Sequence, residues 1–303
     1  MNFAELLFPD FSLIVCGYLL CRYTALNRRV WEPLESLVYF FLFPVLLFHS
    51  IVRTPLEWQS ATQMMGAGLT LGLLGIAMAY ALALWPKLTG GDQRLHAASA
   101  QVAFRFNSFI VLALVDKVTG SEGLPLVAVL IGVCVPLFNV AAVYPMARQG
   151  SHHLGRELIR NPLIVATACG LVCNFLGLGL PDWLSPTTQR IGQAALVLGL
   201  MAAGAGMQLG RIAQAKSLAV AVLTIKHLLL PMAALGVAIG WQLSPLGTTV
   251  LLMFSAVPTA SSCYVLAARM GYDGPYVAGL VTLSTALGMV SLPLALGWVA
   301  HWL

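Results

Sequence analysis

The chain has 303 residues, of which 59% are hydrophobic and 9% charged, with a net charge of +5 and a mean hydropathy of +0.87. A soluble domain carries about 25% charged residues, so this composition excludes an ordinary water-soluble fold and describes a polytopic membrane protein. The positive balance does not point to nucleic acid, because Lys and Arg sit in short loops with no basic tract.

A helix needs about 20 apolar residues to cross a bilayer. Ten stretches meet that length: roughly 5–24, 33–52, 61–85, 95–117, 123–147, 161–180, 186–209, 217–240, 247–269 and 276–302. No basic segment precedes the first, so residues 1–20 read as a membrane helix rather than a cleaved signal. Cys16, Cys21, Cys134, Cys169, Cys173 and Cys263 all fall within apolar stretches and read as small packing residues, with no metal set around them.

The loops alternate in charge. Arg22, Arg28, Arg29, Lys87, Arg94, Arg148, Arg156, Arg160, Arg211, Lys216 and Arg269 fall on one side, against Arg53, Lys117 and Arg190 on the other. The positive-inside rule makes the first side cytoplasmic, and an even number of spans then leaves both termini outside. The longest connection, around 148–160, separates two sets of five spans. An odd count per half inverts the second half relative to the first, the arithmetic of an inverted repeat. Gly120 to Pro125 and Gly271 to Pro275 repeat a turn pattern, and the same offset sets Asn107 opposite Pro258.

Two of the spans are interrupted by polar residues near their midpoints, at 101–107 and 255–263. Backbone groups unsatisfied in lipid cost several kcal/mol each, so matched interruptions in two halves point to a solute site. Arg105 and Lys226 fall at similar depth, about 1.5 Å of rise per residue from the nearest membrane edge. No Asp or Glu falls clearly mid-span beside them, which favours an anionic solute. Pro258 frees carbonyls at that depth, and Thr259, Ser261, Ser262 and Cys263 follow with hydroxyl and thiol groups. The alternatives are a plain proline kink with hydroxyls bonded back to their helix, and a Lys226 that bonds only to broken-helix carbonyls. Asn139, Asn174 and Ser284 are further polar candidates, and His227 reads as packing.

These motifs resemble the auxin efflux carrier family, which includes bacterial malonate-type transporters. The resemblance spans the chain: Gly17 to Arg22, Leu37 to Phe48, Phe104-Arg105-Phe106-Asn107, Asn161-Pro162-Leu163, Lys226 to Pro231, Val257-Pro258-Thr259-Ala260 and Leu283-Ser284-Thr285. It implies an all-α membrane protein of ten helices in two inverted five-helix repeats, with helices 4 and 9 broken and crossing at the midplane. It implies a scaffold of residues 1–59 and 151–212, a transport domain of 60–150 and 213–303, an elevator mechanism and a homodimer through the scaffold. A plasma-membrane carrier of a small organic anion follows, with no cofactor. Asn107 and Pro258 would form the helix breaks. Asn107, Asn139 and the segment of Pro258, Thr259, Ser261 and Ser262 would hold the carboxylate, and the mid-span cations Lys226 and Arg105, read from their charge, complete the expected substrate site.

The chain departs from the family pattern in three ways. Asn107 is followed by Ser108 and Phe109 with no proline, which predicts a milder break in the fourth helix. The long cytoplasmic loop of the plant members is absent. No acidic residue lies near Pro258, unlike the related bile-acid sodium symporters, which counts against sodium coupling. Competing readings are a sodium- or proton-coupled symporter, a non-transporting sensor on a carrier fold, and an intramembrane enzyme with a dyad of Lys226 and Ser261 or Ser262.

Overall fold

A computed structural model describes residues 3–53, 58–147, 162–207, 215–260 and 262–302. The basic connection around 148–160, Arg211 and Ser261 lie outside the described residues. The described residues contain helices and turns and no strand.

Twelve helical segments cover the ten expected stretches. They are α1 Phe3–Tyr23, α2 Arg28–Arg53, α3 Trp58–Ala81, α4 Gln93–Phe104, α5 Ser108–Thr119, α6 Leu124–Ala147, α7 Pro162–Phe175, α8 Ser185–Ala205, α9 Lys216–Gly240, α10 Pro245–Ala256, α11 Ser262–Arg269 and α12 Gly274–Trp302. Five uninterrupted segments among the described residues are long and apolar enough to cross a bilayer: Arg28–Arg53, Gln59–Leu84, Leu124–Met146, Lys216–Gly240 and Gly274–Gly297. The stretches expected at 95–117 and 247–269 are each divided in two.

Local chemistry sets many ends. Asn27 caps α2 by accepting from the Arg29 amide at 3.0 Å, Asp92 caps α4 through Leu95 N at 2.9 Å, and Ser244 caps α10 ahead of Pro245 through Gly247 N at 3.1 Å. After α7, Gly177 turns left-handed at φ 67° and Leu178 N closes on Cys173 O at 2.8 Å, the hydrogen bond of a glycine-terminated helix.

Two long helices carry a π-turn. In α2 it spans Val38–Leu42, with Phe43 N bonding to Val38 O; in α9 it spans Ile225–Leu229, with Leu230 N bonding to Ile225 O. Each lies just ahead of a proline, Pro44 or Pro231, whose missing N–H already interrupts the regular ladder. Hydrophobic periodicity does not reveal such turns.

Glycines decide how close the helices come. A Cβ on Gly17 would stand 1.9 Å from Met201 O, and one on Gly204 would stand 1.8 Å from Ile14 O, so α1 and α8 meet backbone to backbone. Gly68 and Gly72 face Leu130 and Phe138 of α6, which makes that Gly-x-x-x-Gly a contact within the chain; Gly236 and Gly240 face open space. α7 and α8 pack on α2, while α3 packs on α4 and α6, and α12 on α10 and α11.

The broken helices occupy the interior. Every residue from His96 to Phe104 in α4 and from Val250 to Ala256 in α10 is buried. Large apolar side chains such as Leu19, Phe40, Leu73, Val172, Ile239 and Val290 are exposed on the surrounding helices. Buried polar residues such as Gln101, Asn107 and Lys226 inside an apolar outer surface suit lipid as the surrounding medium.

Candidate functional site: where two broken helices meet

The two breaks end their first halves in the same way. Arg105 leaves α4 with φ −70° and ψ 157°, and Val257 leaves α10 with φ −62° and ψ 150°. The break between α4 and α5 is therefore as sharp as the one between α10 and α11, without a proline. Asn107 supplies the reason. Its side-chain oxygen accepts from Ile110 N at 3.3 Å, restarting α5 as a capping group, and its backbone N–H donates to Pro258 O at 2.8 Å. Each break thus satisfies part of the other's backbone.

Four neighbours complete the Pro258 side. Pro258 has no N–H to offer, and Thr259 N donates to Ser284 Oγ at 3.0 Å instead of continuing the helix. The carbonyl of Ser255, which Thr259 would otherwise occupy, accepts from Lys226 Nζ at 3.1 Å. Lys226 is 1% exposed and projects from the π-turn of α9. A cation at a helix C-terminus is favourable, and here it covers a carbonyl the break has released. His227 bridges Ser284 and Ser291 of α12, at 2.9 Å to each. Finally, Gly288 of α12 makes room for the proline: a Cβ there would lie 2.4 Å from Pro258 Cγ.

Arg105 occupies the space between the breaks. Its Nη1 donates to Gln101 Oε1 at 2.9 Å, and its Nη2 donates to Asn139 Oδ1 and Ser262 Oγ, both at 3.1 Å. Gln101 is held in turn by Nε2 bonds to Ala98 O at 3.0 Å and Cys263 O at 3.2 Å. All three groups on the guanidinium are neutral, and no described carboxylate lies within ion-pair reach of Arg105 or Lys226. Three of the five guanidinium N–H groups have partners among the described residues. The helix N-termini at Ser108 and Ser262 add positive dipole ends beside it. Phe106 closes one flank, with its ring 4.2 Å from Phe254 and 6.0 Å from Phe138 between centroids.

Of the residues singled out by sequence, Asn107 and Pro258 meet through their backbones, and Arg105, Asn139 and Ser262 meet through side chains. Thr259 contributes its amide to Ser284, and its hydroxyl lies 3.6 Å from Cys263 Sγ. Lys226 lies on the far side of the Pro258 break, on Ser255 O. Ser261 is outside the described residues. Lys226 Nζ bonds to Ser255 O and Ser262 Oγ accepts from Arg105, so the two are not paired with each other as a dyad would be. Asn174 donates to Ile51 O at 2.6 Å, a contact between α7 and α2 away from the breaks. Sequence reasoning missed Gln101 as the brace of Arg105, Gly288 as the seat of Pro258, and the bridging role of His227. The spacing of Ser284 and Ser291, two helical turns apart, was the available signal for the last.

A model of the family described as "Membrane transport protein" matches residues 143–296. The chain belongs to this family. The transporter is also similar along its length to two other proteins. One, from Rhizobium meliloti (strain 1021), is named "Putative malonate transporter" and is 20% identical over 300 residues, covering 95% of this chain and 92% of that protein. The other, from Methanothermobacter thermautotrophicus, is named "Uncharacterized transporter" and is 24% identical over 301 residues, covering 97% of each. The chain is thus a multi-pass membrane transporter.

Proposed function

We propose that this transporter carries a small organic anion, a carboxylate such as malonate, bound by Arg105 at the junction of the two helix breaks. The observation that carries this reading is a partly buried guanidinium held by three neutral acceptors with no described carboxylate beside it. A carboxylate would bring the missing charge and accept charge-assisted hydrogen bonds. The amide ends of α5 and α11 would add to its attraction, and Asn139 and Ser262 would orient it. The name of the Rhizobium protein agrees with this chemistry.

Lys226 then acts as a positioning cation that stabilises the broken end of α10, rather than as a direct ligand. Its place on Ser255 O also weakens a sodium-symport reading, since a released carbonyl that sodium would use already faces a cation.

The carrier would work as an elevator. Supporting this are the close α1–α8 and α2–α7 packing on one side, and the packing of α3, α4, α6 and α9 to α12 around the breaks on the other. These groups correspond to a scaffold of 1–59 and 151–212 and a transport domain of 60–150 and 213–303. In this reading the halves are inverted repeats whose broken helices cross, the scaffold forms a homodimer, and both termini lie outside a plasma membrane.

The test is malonate flux into liposomes holding the purified protein, read by radiolabel uptake or solid-supported-membrane current, with sodium and proton gradients varied. Malonate flux that disappears in Arg105→Gln is the expected result. Equal flux in that variant would remove Arg105 from the site. Anion binding without flux would favour a sensor.

A further inference from the structure

Away from the helix breaks, three side chains form a closed polar ring between α2 and α11. Arg28 Nη1 donates to Glu35 Oε1 at 2.7 Å and Nη2 to Glu35 Oε2 at 3.3 Å. Nη2 also donates to the Tyr264 hydroxyl at 2.8 Å, and that hydroxyl donates to Glu35 Oε2 at 3.3 Å. The guanidinium lies 5.9 Å from the Tyr264 ring centroid. The same ring rests near the end of α8, where a Cβ on Gly206 would lie 3.5 Å from it. Tyr264 is thus seated against two elements of the proposed scaffold.

We propose that Arg28, Glu35 and Tyr264 form a releasable clasp, which holds α11 and its end of the anion site against α2 and opens when the carrier turns over. The inference rests on the carrier reading above. Its geometry follows from α11 itself. Ser262 and Tyr264 are two residues apart on a helix, so their side chains leave on nearly opposite faces. Ser262 takes the bond from Arg105 while Tyr264 enters the ring, and Cys263 between them gives its carbonyl to Gln101. One turn of helix therefore touches the site on one face and α2 on the other.

The distribution of charge makes the clasp reversible. Arg28 and Glu35 both belong to α2, two turns apart, so their ion pair survives when α11 departs. The member that leaves is a neutral phenol, and no charge loses its partner. An ion pair spanning the two elements would instead leave a buried charge on each side, at several kcal/mol apiece.

The experiment uses the full-length protein in liposomes with its six cysteines replaced and Gly206→Cys as the single thiol. Gly206 is buried, and a Cβ there would lie 3.5 Å from the Tyr264 ring, so alkylation of this thiol by N-ethylmaleimide reports Tyr264 leaving its seat. Tyr264→Phe removes only the hydroxyl and should speed alkylation roughly ten-fold or more, the factor expected for losing hydrogen bonds to charged groups. The exchange Arg28→Glu with Glu35→Arg preserves the pair and should label at the parent rate, which separates the clasp from general loosening. Parent-rate labelling in Tyr264→Phe would overturn the clasp. Malonate uptake in the same liposomes reads the carrier separately. Faster labelling without any uptake by the parent would leave the clasp standing and remove the carrier reading. Uptake with unchanged labelling would remove the clasp alone, and neither signal would remove both.

Discussion

Gly288→Ala is the smallest change that reaches the junction of the helix breaks. The added Cβ would stand 2.4 Å from Pro258 Cγ and 3.0 Å from its Cδ. Carbon atoms rest about 3.5–4.0 Å apart, so the proline or α12 must withdraw by roughly 1 Å. A proline ring cannot rotate out of the way, and the displacement passes to its backbone. The bond from Asn107 N to Pro258 O is 2.8 Å long, and a retreat of about 1 Å along it exceeds hydrogen-bonding range. Overpacking costs about 1–3 kcal/mol, and a stranded buried amide adds about 1–3 kcal/mol. A misplacement of about 1 Å at a working site can lower a rate about 10²-fold. The variant should therefore melt several degrees lower in detergent, and malonate uptake should fall at least about ten-fold beyond any loss of folded protein. Gly236→Ala is the control, because nothing lies within 4 Å of its Cβ; it should be neutral, or stabilising by up to about 1 kcal/mol from helix propensity. Parent-level uptake and melting in Gly288→Ala would refute the account of how the breaks are held.

Three further outcomes follow from the same geometry. Arg105→Lys keeps the charge but loses the planar fork that reaches Gln101, Asn139 and Ser262 together; its half-saturating malonate concentration should rise about ten-fold or more, and a two-fold change or less would count against the guanidinium as ligand. Lys226→Met should lower thermal stability by about 1–3 kcal/mol, through the carbonyl left on Ser255, while half-saturation stays within about two-fold; tight folding with malonate binding abolished would instead make Lys226 a ligand. Gly204→Ala places a Cβ 1.8 Å from Ile14 O, a backbone atom that cannot rotate aside. It should cost about 3 kcal/mol or more, seen as loss of monodisperse protein on gel filtration, whereas Gly240→Ala should express normally.

Much of the fold was legible because lipid imposes a strong one-dimensional rule. Backbone groups must be satisfied within each span, so a run of about 20 apolar residues declares a helix, and Lys and Arg mark the loops. The interruptions were legible for the same reason: Arg105, Asn107 and the hydroxyls after Pro258 are expensive in an apolar helix. Their positions came within a few residues of the breaks at 105–107 and 257–260.

The strength of the first break was not legible. Proline is a covalent breaker and can be read from sequence, whereas the break at Asn107 is held by a hydrogen bond from its backbone N–H to Pro258 O, 151 residues away. The pairings of the two cations were equally closed to sequence. Depth put Arg105 and Lys226 on one level, but rotation about the helix axis decides what each meets. The π-turn at Ile225–Leu229 sets that rotation for Lys226 and aims it at Ser255, while Arg105 turns to Asn139 and Ser262. Gly288 shows the same limit, since its meaning lies in the Pro258 ring across a helix contact. The sequence by itself determined an all-helical membrane transporter with two costly interruptions, because burial in lipid is charged residue by residue. Only the tertiary structure decided that the interruptions satisfy each other and leave one guanidinium among neutral acceptors, because hydrogen-bond partners are chosen in three dimensions.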